Sequence, residues 1–238
     1  MLRLPSNYNP STPYKLIFGL HWRDGDLLAV DGGTAPYYGL RALSNRNNGN
    51  GSEAIFVAPD GLNHGWGNNG GEDVAFVDEL VKTVKAGLCV DEKRVFSVGF
   101  SYGGATSYTL ACARPGVFRG IAVLSGAQLS GCSGSGGPVA YYGQHGVRDG
   151  VLPISMGRQL RDRFVNVNGC TPGQNAPEPP RGSKRHIKTE YSGCKRGYPV
   201  VFAAFDEDHV ALPKDEGGDG GPNSWTPGEV WNFFSQFD

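Results

Sequence analysis

The chain has 238 residues, 39% of them hydrophobic and 19% charged, with a formal net charge of -1 at pH 7. That is enough for one sizeable core and awkward for two, so a single domain over residues 1-238 is expected, and the composition excludes disorder and a polyanion-binding surface, hence nucleic acid as a partner. No apolar run approaches the roughly 20 residues of a membrane-spanning helix, so no membrane partner is expected either, and the N-terminus has no charged-then-apolar signal pattern.

In chain order, strands are predicted at Lys15 to Leu20, Ala54 to Ala58, Arg94 to Phe100, Gly120 to Leu124, Val139 to Tyr142 and Val200 to Phe205, all short apolar runs. Between the second and third, Val74, Val77, Val81, Val84 and Leu88 recur three and four apart, the stripe of an amphipathic helix that packs on the sheet. A helix follows the third strand through Ala113, and another covers Ile154 to Val165. Thr226-Pro227-Gly228-Glu229 opens the last helix with a capping box and a proline at the first helical position, and Phe233, Phe234 and Phe237 should dock it on the core. Asn45 to Ser52, Thr171 to Lys184 and Pro213 to Ser224 are too polar and too rich in Gly, Pro and Asn to be anything but loops. Strands alternating with helices predict an α/β fold, a mostly parallel central sheet covered by helices on both faces.

Cys89, Cys112, Cys132, Cys170 and Cys194, with 37 Gly and 16 Pro, lean towards an oxidising compartment. No CxxC pair and no HExxH occurs, so neither metal nor cofactor is expected, and an odd count leaves one thiol without an internal partner. Asn50-Gly51-Ser52 is a glycosylation sequon in a polar stretch.

The chemistry enters at Gly99-Phe100-Ser101-Tyr102-Gly103-Gly104, directly after a predicted strand and before a predicted helix. A sharp strand-to-helix turn needs small residues on both sides of a serine whose hydroxyl it thrusts out above the sheet. Ser101 is therefore the expected nucleophile, and the Tyr102 amide, at a helix N-terminus, faces the oxyanion formed on attack. A serine hydroxyl needs a histidine to take its proton and a carboxylate to orient that histidine. The order serine, acid, histidine removes His21 and His64. Asp149, in His145-Gly146-Val147-Arg148-Asp149 after the fifth strand, is the expected acid; Asp206 and Asp208 are the alternatives but sit within three residues of the histidine. That histidine is His209, four residues beyond the last strand, in preference to His186 in a basic, polar run.

The loop Gly19-Leu20-His21-Trp22-Arg23-Asp24-Gly25 should supply the second oxyanion donor through the Trp22 amide, with His21 bracing the loop. Trp22 and Trp66 are candidate substrate-binding residues, Trp66 as a wall of the acyl pocket, with core packing as the other reading for each.

These residues carry a resemblance that spans nearly the whole chain. Tyr14 to Arg23, Phe56-Val57-Ala58-Pro59-Asp60-Gly61-Leu62-Asn63, Gly71-Glu72-Asp73-Val74-Ala75-Phe76, the Ser101 motif, Leu110-Ala111-Cys112-Ala113-Arg114 and Leu124-Ser125-Gly126 resemble fungal feruloyl esterases, carbohydrate esterases related to polyhydroxybutyrate-depolymerase-like proteins. The resemblance implies a secreted α/β-hydrolase that cleaves ferulate and related hydroxycinnamate esters, either on plant cell-wall arabinoxylan or as small esters, through an acyl-enzyme on Ser101 with Asp149 and His209. Family members open with a signal peptide, a cysteine and an extra strand, whereas this chain opens at Met1-Leu2-Arg3-Leu4-Pro5, so the signal and that strand are expected to be absent. Against that background Cys89 is expected to pair with Cys112 and Cys170 with Cys194, leaving Cys132 alone. Two further readings remain: an esterase acting on acetylated xylan or a polyester, and a catalytically silent carbohydrate-binding or adhesion module on the same fold.

Overall fold

The predicted apolar runs pair into one eight-stranded sheet in a computed structural model that describes residues 1–46, 53–132, 136–173 and 176–237. In chain order the elements are β1 (Leu2–Arg3), β2 (Tyr14–Leu20), α1 (Leu27–Asp31), α2 (Leu40–Arg46), β3 (Ala54–Val57), α3 (Glu72–Gly87), β4 (Val90–Phe100), α4 (Tyr102–Ala113), β5 (Gly120–Leu124), β6 (Ala140–Gly146), α5 (Ile154–Val167), β7 (His186–Glu190), β8 (Val200–Phe205) and α6 (Thr226–Ser235). Across the sheet they run β1-β3-β2-β4-β5-β6-β8-β7, with β1 and β7 antiparallel at the two edges and every other pair parallel. The order reverses at β2, which lies between β3 and β4, and that reversal opens a crevice beyond the carboxyl ends of those strands.

Strand periodicity divides the core in two. Leu16, Phe18 and Leu20 point to the face covered by α3, α4 and α5, where Val74, Val77, Val81 and Val84 form the apolar stripe. Ile17, Phe96 and Val98 point to the opposite face, under α1, α2 and α6, with Trp231, Phe233 and Phe234 packed on them. Burying a Leu, Val or Phe side chain is worth about 1.5–3 kcal/mol, so these two layers hold the sheet rigid beneath its loops.

The structure adds elements that the sequence did not announce and revises two expectations. The basic, polar run around His186 is strand β7; its side chains alternate between half-buried and exposed, and Lys188 pairs with Glu229, as suits a charged sheet edge. The short elements β1, α1 and α2 carry too few residues to show a period; α1 is announced only by Asp26, whose carboxylate accepts the Ala29 amide. The capping box at Thr226 does not form: Ser224 accepts the Thr226 amide, while the Thr226 hydroxyl turns inward and donates to Gln144 Oε1, 3.0 Å away. The disulfides are Cys112–Cys132 and Cys170–Cys194, and Cys89 is the free thiol. Thr109 explains the difference, because its hydroxyl bonds the Gly131 carbonyl and lays that segment along α4, so that Cys112, three residues on, meets Cys132 at a Cα separation of 5.6 Å. The Asn50-Gly51-Ser52 sequon lies outside the described residues. No described helix is long and apolar enough to cross a membrane.

Candidate active site

Strand β4 ends at Phe100, and the chain turns into α4 through a single residue. Ser101 is that residue, with φ 54° and ψ -115°, a backbone conformation that side chains other than glycine rarely adopt and that stores strain. The turn is closed by the Ser101 amide donating to the Leu124 carbonyl at the end of β5, 2.9 Å away, and by the Ala105 amide donating back to Ser101. Glycine is required on both sides of it. A Cβ on Gly99 would lie 2.3 Å from the Gly103 carbonyl group, and one on Gly103 would lie 2.1 Å from the Leu20 carbonyl oxygen. The first turn of α4 thus rests on the backbone at the end of β2, and the loop carrying Trp22 leaves β2 beside the orphan amides of that turn.

Tyr38 fixes the same two strand ends. Its buried hydroxyl donates to the Leu20 carbonyl at 2.6 Å and accepts the Phe100 amide at 3.2 Å. Nothing in the sequence distinguishes it from a core tyrosine.

The loops after β6 and β8 are laced together. The Val147 amide donates to the Phe205 carbonyl, the Gly150 amide to Asp208 Oδ1, and the Arg148 guanidinium to Asp206 and Glu207. The lacing brings Asp149 and His209 together, with His209 Nδ1 2.7 Å from Asp149 Oδ2. A carboxylate only accepts, so Nδ1 carries the proton and Nε2 keeps a lone pair. The His209 ring packs on Phe100 with centroids 4.6 Å apart, which sets it beside the residue preceding Ser101. No hydrogen bond joins Ser101 to His209 among the described contacts; the serine lines the cleft instead.

Asp149 is buried, which by itself would raise its pKa. The bonds it accepts from His145, His209 and the Leu152 amide outweigh burial and hold the carboxyl well below the usual carboxylate range. The alternative acids are otherwise engaged: Asp206 accepts Arg148 and the Lys184 amide, and Asp208 accepts the Gly150 and His209 amides. His186 stands apart on β7, stacked on Trp225 and bonded to Asp215.

His21 is fully buried and bridges two loops, donating from Nδ1 to the Trp22 carbonyl and accepting the Gly61 amide at Nε2. Trp66 stands in the cleft wall, but its ring is fully buried against His21 and its Nε1 donates to the His21 carbonyl. Both readings of Trp66 meet here: it belongs to the cleft wall, and its buried indole packs as core and props that wall from behind. The half-buried Trp22 ring meets Phe100 edge-on and lines a smaller cavity of about 180 Å³ rather than the cleft beside Ser101.

That cleft has a volume of about 810 Å³, within the range of small-molecule sites. Tyr102, Leu62, Leu129, Val151 and Leu152 form its apolar surfaces, and Arg23, Asp24, Asn63 and Glu72 its polar ones. Leu62 and Val151 are each 65% exposed and Leu129 44%. Sequence reasoning passed over these three, because an exposed aliphatic residue in a loop carries no period to mark it. No group of three or more potential metal ligands gathers among the described residues.

A strained serine elbow at the end of a central parallel strand, with an acid and a histidine on the loops of two later strands, defines an α/β-hydrolase. No family model matches the chain. Feruloyl esterase D of Neurospora crassa is 47% identical over 244 residues, spanning 100% of this chain and 81% of that protein. Feruloyl esterase C of Emericella nidulans is 46% identical over 236 residues, spanning 98% of this chain and 82% of that protein. Among solved structures, an acetyl xylan esterase from Aspergillus awamori shares the fold with a TM-score of 0.71 at 16% identity, covering 100% of this chain and 93% of that one. The chain belongs to the feruloyl esterase family.

Proposed function

We propose that this chain is a serine carboxylic ester hydrolase that releases ferulate and related hydroxycinnamates, from small esters and from feruloylated arabinoxylan, with Ser101, Asp149 and His209 as its catalytic residues. The observation that carries the reading is the Asp149–His209 pair, 2.7 Å apart, packed on the residue before a serine at φ 54°.

Asp149 holds the His209 ring with its proton on Nδ1, so Nε2 is the base. As Ser101 Oγ attacks the ester carbonyl carbon, its proton passes to Nε2, and the Asp149 carboxylate stabilises the imidazolium. The carbonyl oxygen becomes an oxyanion, for which the Tyr102 and Trp22 amides are the proposed donors. Collapse breaks the bond to the alcohol oxygen, which leaves with the Nε2 proton. A water then loses a proton to Nε2 and attacks the acyl-enzyme, and collapse of the second tetrahedral intermediate frees the acid and returns that proton to Ser101.

The cleft supports an aromatic acyl group rather than an acetyl group. Exposed Leu62, Leu129 and Val151 offer flat apolar contact, and about 25 cal/mol is gained per Å² removed from water. The polar side chains of the cleft suit the phenol and the sugar hydroxyls. Two disulfides suit an oxidising compartment and support an extracellular site of action.

Turnover of methyl ferulate, methyl acetate and short hydroxybutyrate oligomers tests the reading. Hydrolysis of methyl ferulate at a kcat/KM well above the other two is expected. Preference for acetate or hydroxybutyrate would overturn the substrate class, and activity retained in Ser101→Ala would overturn the nucleophile.

A further inference from the structure

The mechanism above has no use for His145, yet this side chain is buried against the acid. It leaves β6 with 1% exposure, and its Nε2 lies 2.6 Å from the Leu152 carbonyl oxygen. A carbonyl only accepts, so Nε2 carries a proton. The same nitrogen is 3.3 Å from Asp149 Oδ2, the oxygen that accepts from His209.

The turn from Asp149 to Leu152 is tied at both ends of its last residue. Asp149 Oδ1 accepts the Val151 and Leu152 amides at 2.9 and 2.7 Å, which leaves the Leu152 carbonyl to be met from the other side, by His145. The ring has no freedom to move away, because Gly157 in the first turns of α5 closes over it; a Cβ there would lie 2.3 Å from His145 Nδ1. The clamped turn also carries Val151 and Leu152, which line the cleft beside Ser101.

We propose that His145 is a positioning residue for ester cleavage: its Nε2–H, clamped on Leu152 beside Asp149, fixes the turn that aims the acid at His209. This rests on the proposed catalytic roles of Ser101, Asp149 and His209. A displacement of about 1 Å at a catalytic group costs on the order of a hundredfold in rate, so the effect belongs in kcat.

The test uses the whole chain with His145→Leu and His145→Gln, whose amide N–H reaches about as far as the imidazole Nε2–H. Turnover of methyl ferulate is expressed per active site counted by the product burst, with thermal melts alongside. The leucine variant is expected to lose about a hundredfold in kcat, with KM within a few fold of wild type. The glutamine variant is expected to recover to within a few fold of wild-type kcat. Three outcomes overturn the proposal: a leucine variant with unchanged kcat, a loss that follows only the folded fraction, or a glutamine variant as poor as the leucine one. Ser101→Ala, run in parallel, separates the two readings, since activity in that variant sinks the catalytic assignment itself.

Discussion

Asp149 and His209 stand 60 residues apart in the chain and 2.7 Å apart in space, each on a loop that would be floppy alone. Asp149→Asn is expected to lower kcat on methyl ferulate by about 10³–10⁴-fold with little change in KM, since an amide donates as readily as it accepts and no longer selects the Nδ1–H tautomer. Steady-state kinetics check this.

The lowered pKa of Asp149 has a sign that stability measurements read. A carboxyl whose folded value lies below its unfolded one stabilises the fold fully above the unfolded value, about 3.9, and loses that contribution as pH falls through the folded value. Urea unfolding of wild type and Asp149→Asn should therefore differ by a constant amount from pH 7 to about pH 5, and the gap should begin to narrow near pH 4 and go on narrowing as the pH falls towards the folded value. A gap that closes near neutrality would contradict the hydrogen bonding described.

Gly103→Ala places a methyl group 2.1 Å from the Leu20 carbonyl oxygen, a backbone atom that cannot step aside alone. Overpacking of this kind costs about 1–3 kcal/mol, or roughly 2–10 °C in Tm for a domain of this size. Activity should fall further than stability does, because the displaced backbone leads into the Trp22 loop. Calorimetry and turnover on one sample separate the two effects.

Cys89 is the thiol left over. Titration of denatured, unreduced protein should find one free thiol, and Cys89→Ser should leave Tm unchanged. Replacing Cys112 and Cys132 together by serine should cost about 2–4 kcal/mol, because it frees a long loop in the unfolded chain.

Val151 is 65% exposed at the cleft and has no packing duty in either core. Val151→Ser should raise KM for methyl ferulate by roughly three- to tenfold, about 1 kcal/mol of lost apolar contact, and leave methyl acetate kinetics nearly unaltered. Equal effects on both esters would remove this side chain from the acyl site.

The local pattern around Ser101 was legible because its constraints are local: a strand, a turn that needs glycines on both sides of the serine, and a helix all lie between Val90 and Ala113. The parallel sheet was legible for the same reason, since each central strand carries a short apolar segment buried on both faces. Residues at the sheet edges were not, because β7 alternates half-buried and charged side chains and β1 is two residues long.

What depended on distance in space was decided only by the tertiary structure. Asp149, His145 and Asp208 are equally polar loop or strand-end residues in the sequence, and their separate duties arise where two loops are laced across β6 and β8. Trp66 is buried and Val151 exposed, since burial follows from which backbone covers a residue and not from how apolar it is. Cys112 found Cys132 through the Thr109 bond to Gly131, a contact across 22 residues to which no spacing rule applies.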